Sequence, residues 1–581
     1  MPTKGKVTIA GAAGAWGDSS LSTPQLLKDG RADYIVYEGL AEITMAILSR
    51  AKDKDASQGY ARDLIETIAH NLDAYRGSDM RVVTNAGGVN PHAAADVIRA
   101  ADPSVSVAVV SGDDLMERPD LLPGLTGEAL SANVYLGAWP IASALDSGAE
   151  VVVTGRVVDS ALTLGPLIHE FGWRPDELDL LSAGSLAGHL IECGPQASGG
   201  LLTDWEDTTS WIDPGYPLVE VSADGSFIVT TPDDSNGLVD VRTVSEQLLY
   251  EIGDPGRYLL PDVTCDWRLV TLEEVATNRV AVTGARGWSP PTTMKACAQI
   301  SDGWRAQMLL FIGGRDAVHK ARRVGRDLIE RGRRVLDAAG LDDFRATHVE
   351  VIGSEDSYGD NSRAGAAREV ILDLAVHHDS REAVAVFIRE IPSIALAGPP
   401  GVSGGGAGLP GPTPLVRLEC FPVPREAVSA LVEVDGKSFV VPAAHAAGAR
   451  SPDEIIEVSS YDGPTITVPL VAIAHGRSGD KGADLNIGIR ARHPDFYDIL
   501  LRELPGERVG EHLTHLGASE VKRFGLPGIH AVNFLLLGAL GAGGTASLRF
   551  DPQGKALAQQ LLDIEIEIPA DLAAHSALRP L

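Results

Sequence analysis

Cysteine is scarce in this chain, and its four cysteines form no recognisable pair motif. They lie far apart, at Cys193, Cys265, Cys297 and Cys420, with no Cys-x-x-Cys spacing. The sequence therefore predicts neither a disulfide framework nor a zinc finger, and a reduced cytoplasmic setting fits best. The opening segment MPTKGKVTIAGAAGAW enters a strand-like run without the long apolar stretch of a secretory signal, so we expect no signal peptide.

Long apolar runs and positive charge are also lacking. The run AVNFLLLGAL, residues 531–540, is about half the roughly 20 residues that a membrane helix needs. Lys and Arg number 49 against 79 Asp and Glu, which gives a net charge of −30. Binding to nucleic acid or to an anionic membrane requires a large basic face, so we expect neither partner. An anionic ligand would need a local cluster of Arg or helix N-termini.

The first 160 residues alternate strand-like and helix-like segments. Apolar, β-branched runs predict strands at 6–11, 33–38, 81–87, 105–112 and 149–155. Apolar residues at helical spacing predict helices at 39–52, 60–75, 91–101 and 133–148. This alternation is typical of a parallel sheet with helices on both faces. The predicted fold class is α/β, with a large parallel-sheet, Rossmann-like N-terminal domain.

At 581 residues the chain is too long for a single core. We predict a domain over 1–450, with a possible division into 1–165 and 166–450, and a compact α+β domain over 466–569. The stretch AGPPGVSGGGAGLPGPTP at 397–414 predicts a mobile arm or lid. Because ordering so long an arm costs entropy unless a neighbour holds it, we expect a homo-oligomer through this arm or the C-terminal domain.

The segment GAAGAWGDSS, residues 11–20, resembles a phosphate-binding turn. Its glycines read G-x-x-G-x-x-G, whereas the dinucleotide fingerprint is G-x-G-x-x-G. Glu38 follows at about the distance of a ribose-binding acid. However, Glu38 and Glu42 are four residues apart and can project from one helical turn near Asp18, which suits proton transfer better. We therefore predict no nicotinamide or flavin cofactor.

Small, polar or glycine-rich turns follow all five predicted strands. In an open parallel sheet these turns share the carboxyl edge, where ligands bind. Arg156 and Asp159 lie in TGRVVDSALTLGP at 154–166. The Arg156 guanidinium can bind a carboxylate or phosphate through two hydrogen bonds, and Asp159 can act as a base or cap the following helix. Asn85, Gly87 and Gly88, in TNAGGVNP at 84–91, are candidate donors to a carbonyl oxygen. The alternative is structural: an Arg–Asp pair that closes its turn, and turn residues that only cap helices.

GHLIECG, residues 188–194, places His189, Glu192 and Cys193 on one face of a helix. Three ligand types at this spacing could hold a metal, or Cys193 and His189 could be a nucleophile and its base. No second cluster supplies further ligands, so we assign no metal and include the three as substrate-binding candidates.

AHGRSGDKGADLNIG, residues 474–488, joins two strand-like runs near the C-terminus. Arg477, Lys481 and the N–H groups near Gly479 and Gly482 predict a small basic nest, which Asp480 partly neutralises. A well-capped turn with no ligand is the alternative.

Long segments of the chain resemble the AtuA family, named for acyclic terpene utilisation. The matching segments are GAAGAWGDS, DYIVYEGLAEITMAIL, VVTNAGGVNP, NVYLGAWPIASALDSGAEVVVTGRVVDSALTLGPLIHEFGW, GHLIECGPQASGG, SEQLLYEIGDP, YLLPDVTCDW and AHGRSGDKGADLNIGIRAR. The resemblance implies a C-terminal ferredoxin-like domain and a role in degrading citronellol-type terpenes or branched acids through coenzyme A thioesters. It supplies no generally established reaction and no catalytic residues. Glu38 stands where the resemblance leads us to expect Asp, so the carboxylate is kept.

Two functional hypotheses follow. The first is a catabolic enzyme that acts on a branched or terpenoid acyl-CoA, or the corresponding acid, by acid–base chemistry of hydratase or lyase type. Its catalytic residues would be Asp18, Glu38, Arg156 and Asp159, with the coenzyme A thioester as substrate and no other cofactor. The second is a non-catalytic acyl-CoA-binding or scaffolding subunit. The predicted substrate-binding residues are Gly14, Trp16, Glu42, Asn85, Gly87, Gly88, His189, Glu192, Cys193, Arg477, Asp480 and Lys481.

Overall fold

A computed structural model describes residues 4–404, 408–443, 446–448 and 458–579 of the chain. The side chain of Glu42, one of the predicted site residues, lies outside the described part. Among the described helices none has the length and apolar character needed to cross a bilayer.

The strands of the described residues run through the whole chain. Those up to residue 313 are β1 (Lys6–Gly14), β2 (Tyr34–Glu38), β3 (Arg81–Thr84), β4 (Val107–Ser111), β5 (Ala129–Val134), β6 (Val151–Thr154), β7 (Leu218–Ser222), β8 (Phe227–Thr230), β9 (Tyr258–Leu259), β10 (Thr264–Asp266), β11 (Thr271–Ala276), β12 (Arg279–Thr283), β13 (Arg286–Trp288) and β14 (Thr293–Gly313). Those that follow are β15 (Ala346–Ile352), β16 (Glu369–His378), β17 (Val402–Gly404), β18 (Thr413–Pro424), β19 (Ser429–Val434), β20 (Lys437–Pro442), β21 (Thr465–Pro469), β22 (Ala474–Lys481), β23 (Asp484–Ala491), β24 (Glu520–Leu526), β25 (Ala531–Leu537) and β26 (Glu565–Pro569).

The α-helices are concentrated in the first half of the chain. They are α1 (Ser22–Asp29), α2 (Glu42–Lys54), α3 (Arg62–His70), α4 (Leu72–Gly77), α5 (Pro91–Ala101), α6 (Trp139–Asp146), α7 (Ala161–Phe171), α8 (Leu178–Ile191), α9 (Val241–Leu249), α10 (Ala317–Ala338), α11 (Arg381–Glu390), α12 (Ile394–Ala397), α13 (Tyr497–Glu503), α14 (Gly506–His512) and α15 (Leu557–Leu562).

The first sheet is mixed rather than parallel throughout. Its order is β11-β12-β8-β7-β1-β2-β3-β6-β4-β19-β20, and only β1, β2, β3, β6 and β4 pair in parallel. These are the five strands that the sequence predicts, and their apolar runs are buried because helices cover both faces. The prediction of a parallel sheet is therefore correct for the centre and wrong for both edges, where hairpins from beyond residue 165 add antiparallel strands.

The second sheet is built around the long strand β14. Its order is β15-β16-β14-β17, and β18 and β5 also pair with β14. The helices α10 and α11 pack apolar residues against it. The sequence predicts one helix over residues 133–148, but the helix starts at Trp139, and Asn133 and Val134 are the last two residues of β5. The predicted arm at 397–414 contains β17, which pairs with β14; residues 405–407 of that arm lie outside the described part.

The C-terminal strands pair only with each other among the described residues. β22-β23-β25-β24 form an antiparallel sheet, and β21 pairs with β26. Their apolar faces build a separate core with α13, α14 and α15. Residues 465–569 are therefore a second packing unit behind the large α/β unit.

Candidate active site at the sheet edge

Strand register brings the predicted residues to one edge of the first sheet. Gly14 pairs with Glu38 where β1 and β2 end, and Tyr37 pairs with Thr84 one residue before Asn85. Arg156 follows β6, the next strand in the sheet. The turns after β1, β2, β3 and β6 thus meet at the carboxyl edge, as the sequence predicts.

Glu38 and Asn85 lock two of these turns together. Glu38 Oε1 accepts hydrogen bonds from Asn85 Nδ2 at 2.9 Å and from the backbone N–H of Leu40 at 2.8 Å. Asn85 Oδ1 accepts from the backbone N–H of Gly39 at 2.9 Å. Both side chains are buried. The two hydrogen bonds to Oε1 fix the orientation of the Glu38 carboxyl. Neither of them involves Oε2.

Arg156 reaches across to the turn after β2. Its Nη1 donates to the carbonyl of Leu40 at 2.5 Å and to Asp159 Oδ1 at 3.2 Å. The guanidinium lies over the ring of Tyr135, 4.3 Å from its centroid. Arg156 is 3% exposed, whereas the side chain of Asp159 is 34% exposed. The arginine is therefore fixed from several sides, while its carboxylate partner is partly exposed to solvent.

A second buried carboxylate supports the backbone of this turn. Asp113 Oδ2 accepts from the backbone N–H of Arg156 at 2.9 Å and from Asn133 Nδ2 at 2.8 Å. A Cβ on Gly155 would lie 2.4 Å from Asp113 Oδ1, so the turn needs glycine there. Burial raises the pKa of Asp113 to about 6. Asp113 thus fixes the backbone of Arg156 through this hydrogen bond.

The electrostatics of the cluster favour a proton on Glu38 at neutral pH. Burial raises the pKa of Glu38 to about 8, the negative charge of Asp159 adds to this, and Arg156 acts in the opposite direction. A carboxyl that titrates near neutral pH can act as an acid or a base, and such groups concentrate at functional sites. Glu38 is therefore the strongest acid–base candidate in the cluster.

The glycine turn after β1 does not have the form of a phosphate cradle. β1 extends to Gly14, so Gly11 and Gly14 lie within the strand. A Cβ on Gly11 would lie 2.6 Å from the carbonyl oxygen of Ile191, and one on Gly14 would lie 2.5 Å from the carbonyl carbon of Cys193. These glycines allow the end of α8 to pack directly on β1, which explains a spacing different from the dinucleotide fingerprint.

Asp18 and Trp16 take part in the structure of the same turn. Asp18 accepts from the backbone N–H groups of Gly14 at 2.9 Å and Ser19 at 2.6 Å, and from the Tyr216 hydroxyl at 2.7 Å. Trp16 packs on the small apolar cluster beneath α2. Because both of its carboxylate oxygens accept hydrogen bonds from the protein, Asp18 stabilises the turn, and Glu38 is better placed than Asp18 to exchange a proton with a ligand.

Gly87 and Gly88 also serve close packing. A Cβ on Gly87 would lie 2.4 Å from the carbonyl oxygen of Thr154. Gly88 has a φ of 54°, and its N–H donates to the carbonyl of Asn85 at 3.1 Å. The turn therefore uses the Gly88 N–H internally and does not present it as a donor to a carbonyl.

His189, Glu192 and Cys193 lie beside this cluster but do not form a nucleophile and base. His189 Nδ1 contacts Glu192 Oε1 at 3.0 Å, and its Nε2 contacts the carbonyl of Leu248 at 3.3 Å, so neither nitrogen serves Cys193. Burial raises the pKa of the Cys193 thiol well above its usual range. Burial also raises the pKa of Glu192, and the charge of Asp159 adds to it, which places Glu192 next to the main cluster.

The C-terminal unit brings two cations to the large unit. Arg477 and Lys481 lie on β22, because the predicted loop is a hairpin of β22 and β23 that turns after Lys481. The Arg477 guanidinium lies 4.6 Å from the centroid of the Tyr250 ring, and the Lys481 ammonium lies 5.1 Å from that of Tyr258. Burial, followed by the charges of Glu192 and Asp159, raises the pKa of Tyr258, so this ring connects the hairpin to the acidic cluster.

Asp480, the third predicted residue on this hairpin, faces the second half of the C-terminal unit. It accepts from Gln553 Nε2 at 3.3 Å and lies 3.7 Å from Lys555 Nζ. Asp480 therefore stabilises the C-terminal unit itself.

Several residues of the site are missed by the sequence reading. Tyr135 falls in a segment predicted as helix, and Asp113 falls in the SGDD turn, which the sequence marks only as one of five strand-end turns. Tyr258, and Glu251, whose charge also raises the pKa of Tyr258, belong to the middle of the chain, where the pattern gives no clear element. Their positions depend on tertiary contacts, and no local signal identifies them.

One group of described residues brings three potential metal ligands within 4.8 Å of one another: His493, Asp495 and His575. His575 Nδ1 accepts from the backbone N–H of Ala577 at 3.1 Å, so in neutral imidazole its Nε2 carries the proton, towards Asp495. His493 Nδ1 accepts from the backbone N–H of Asp495 at 3.3 Å. A metal needs unprotonated nitrogens with available lone pairs, so this group fits a structural cap better than a metal site.

Comparison with protein-family models agrees with this architecture. The model described as acyclic terpene utilisation family protein AtuA matches residues 7–434, and the AtuA ferredoxin-like domain matches residues 468–567. No curated protein and no solved structure matches the chain. The chain therefore belongs to the AtuA family and carries its C-terminal ferredoxin-like domain.

Proposed function

We propose that this AtuA-family protein is a catabolic enzyme that acts on a branched or terpenoid acyl-CoA, or the corresponding acid, by acid–base chemistry of hydratase or lyase type. The observation that carries the proposal is the buried Glu38 carboxyl, whose pKa is raised to about 8 beside Arg156 and Asp159. A proton that can be given and taken at neutral pH is what addition of water to an activated double bond, or its reversal, requires.

Each residue of the cluster has a distinct role in this proposal. Arg156 donates to the carbonyl oxygen of the substrate and stabilises the negative charge that develops there. In hydration, Glu38 gives its proton to the carbon next to the carbonyl, while the oxygen of a water molecule adds to the following carbon. The remaining proton of that water passes to the Asp159 carboxylate. Before the next hydration, Asp159 releases its proton to solvent and Glu38 takes one up. The reverse sequence eliminates water.

Lys481 and Arg477 are proposed to assist binding from the ferredoxin-like domain. Both lie next to the acidic cluster through Tyr258 and Tyr250. The positive charge of these two side chains would reduce the repulsion between the acidic residues of the site and an anionic substrate. We propose further that the protein works in the cytoplasm as a homo-oligomer, without a nicotinamide, flavin or metal cofactor.

The second candidate is a non-catalytic subunit that binds acyl-CoA or scaffolds other enzymes of such a pathway. The charge balance favours it, because coenzyme A is strongly anionic and the chain has a net charge of −30. The charges of Glu192, Asp159 and Glu251 also add to burial in raising the pKa of Tyr258, so three acids lie near this ring.

A ligand screen separates the two candidates. Melting of the full-length protein is followed with branched and straight-chain acyl-CoAs and with the free branched acids, and each incubation is then analysed by mass spectrometry. Stabilisation by a branched compound together with a mass change of 18 Da supports the enzyme. Stabilisation without any product supports the binding subunit. If no compound stabilises the protein and none is converted, both candidates are wrong.

A further inference from the structure

We infer that Cys297 and Cys420 form a reversible disulfide, which makes the second sheet a site of covalent redox modification. The two residues are direct partners in the antiparallel pair of β14 and β18. Their sulfur atoms lie 3.1 Å apart, with both residues in the thiol form. This inference does not rest on the proposed function.

The backbone already has the geometry that a disulfide needs. Directly opposite residues of an antiparallel pair have Cα atoms about 4.5 or 5.5 Å apart, depending on their position in the ladder. Both values fall within the range of about 4.4 to 6.8 Å that disulfides span. The sulfur atoms must approach by only about 1 Å to reach the bond length of about 2.05 Å. The bond can therefore form by side-chain rotation, without movement of the strands.

The difference in exposure between the two cysteines determines which thiol reacts first with an oxidant. Cys420 is exposed, whereas Cys297 is 1% exposed. An accessible cysteine next to a second cysteine is an arrangement often found for attacking and resolving thiols. Cys193 and Cys265 lack such a partner among the described residues, and burial raises the pKa of the Cys265 thiol to about 12. These two cysteines serve as internal controls.

The oxidant is a small-molecule disulfide such as oxidised glutathione. The Cys420 thiolate attacks one sulfur of that disulfide, forms a mixed disulfide and releases one molecule of the small thiol. The Cys297 thiolate then attacks the Cys420 sulfur, forms the protein disulfide and releases the second molecule. Two protein thiols are oxidised, one small disulfide is reduced to two thiols, and the two protons pass to these leaving groups.

The bond would form on the strand that supports the candidate active site. Cys297 also pairs with Asn133 on β5, on the side opposite Cys420. Asn133 Nδ2 donates to Asp113, which accepts from the backbone N–H of Arg156. A disulfide between β14 and β18 therefore restrains β14, the strand that pairs with β5 and so positions Asn133.

The test uses the full-length protein equilibrated with reduced and oxidised glutathione at several ratios. Thiols are then blocked with an alkylating reagent, and the digested protein is analysed by mass spectrometry. We expect a cross-linked peptide that contains Cys297 and Cys420, with Cys193 and Cys265 alkylated and a raised melting temperature for the oxidised protein. The link should disappear when reduced glutathione is restored.

Three variants make the result specific. Cys297→Ser should keep glutathione on Cys420, because no resolving thiol remains, and Cys420→Ser should leave Cys297 unmodified. Cys193→Ser should form the cross-link as the wild type does. The inference is wrong if wild-type Cys420 retains glutathione while Cys297 stays a thiol, or if neither residue reacts at any glutathione ratio.

Discussion

At the scale of single residues, the proton on Glu38 has a measurable effect on stability. Because burial raises its pKa from the usual 4.5 to about 8, the folded protein holds this proton to a higher pH than the unfolded chain does. The free energy of unfolding should therefore fall as the pH rises from about 4.5 to about 8, by an amount on the order of a few kcal/mol. The variant Glu38→Gln cannot ionise and should lose this dependence.

The measurement is the melting temperature of wild type and Glu38→Gln between pH 5 and pH 8.5. The exposed Glu117→Gln provides a matched control and should follow the wild type. Equal slopes in wild type and Glu38→Gln would show that the pKa of Glu38 is not raised.

Asp159 should tune this proton. The negative charge of Asp159 raises the pKa of Glu38, and the Asp159 side chain is partly exposed. Asp159→Asn removes the charge and keeps the shape, so the pH at which the Glu38-dependent stability changes should move to a lower value. The same titration of melting temperature measures the shift in Asp159→Asn and in the double variant with Glu38→Gln. A change towards higher pH in the single variant would contradict this coupling.

The sequence predicts the core of the candidate site, but only in part. Four residues can be identified because each lies at the end of an apolar strand or in the turn that follows it: Glu38, Asn85, Arg156 and Asp159. The orientation of these side chains depends on long-range contacts such as that of Arg156 with Leu40 and Tyr135. Local spacing contains no information about such contacts, and for this reason Tyr135 and Asp113 are missed.

At the scale of elements, close approach of α8 to β1 explains the unusual glycine spacing. A Cβ on Gly14 would lie 2.5 Å from the carbonyl carbon of Cys193 and 2.7 Å from the nitrogen of Gly194, which are backbone atoms. Gly14→Ala should therefore destabilise the protein by about 1 to 3 kcal/mol through overpacking. Gly5→Ala is the control, because a Cβ at Gly5 meets no atom within 4 Å.

Chemical denaturation of both variants measures this cost. A Gly14→Ala variant as stable as Gly5→Ala would show that the end of α8 can move away from β1 without loss.

The elements also show why the sheet could be predicted only in part. The five central strands carry apolar runs that are buried on both faces, and this signal is local. The edge strands β7, β8, β11 and β12 come from hairpins distant in the sequence, and a hairpin pattern does not reveal which sheet it joins. β5 is missed because apolar residues at helical spacing extend the predicted helix back to residue 133, although Gly137 and Pro140 mark the start of α6 at Trp139.

At the scale of the whole molecule, one buried carboxylate joins the two domains. Asp204 of the large domain is buried and accepts from Arg492 of the ferredoxin-like domain at 2.6 and 2.8 Å. His475 Nε2 lies 3.0 Å from the same carboxylate, and Arg579 also donates to it. Loss of one partner of a buried ion pair leaves the other charge uncompensated, at a cost of about 3 to 5 kcal/mol.

Asp204→Ala should therefore weaken the junction between the domains. Calorimetry should show unfolding at a lower temperature, or a wider separation between the transitions of the two domains, than in the wild type. Asp207→Ala, whose side chain is 52% exposed, is the control and should change the transition little. An unchanged transition in Asp204→Ala would show that the domains do not depend on this cluster.

The central claim is that Glu38 transfers a proton to or from a branched acyl-CoA. The most direct measurement is deuterium incorporation: a branched acyl-CoA that stabilises the protein is incubated in D₂O, and the recovered substrate and product are analysed by mass spectrometry. We expect deuterium at the carbon next to the thioester carbonyl. Its rate of entry should be at least about a hundredfold lower in Glu38→Gln, since general acid–base catalysis contributes about 10² to 10⁴, and should be unchanged in Glu117→Gln. Incorporation at equal rates in wild type and Glu38→Gln, or no faster than without protein, would contradict the claim.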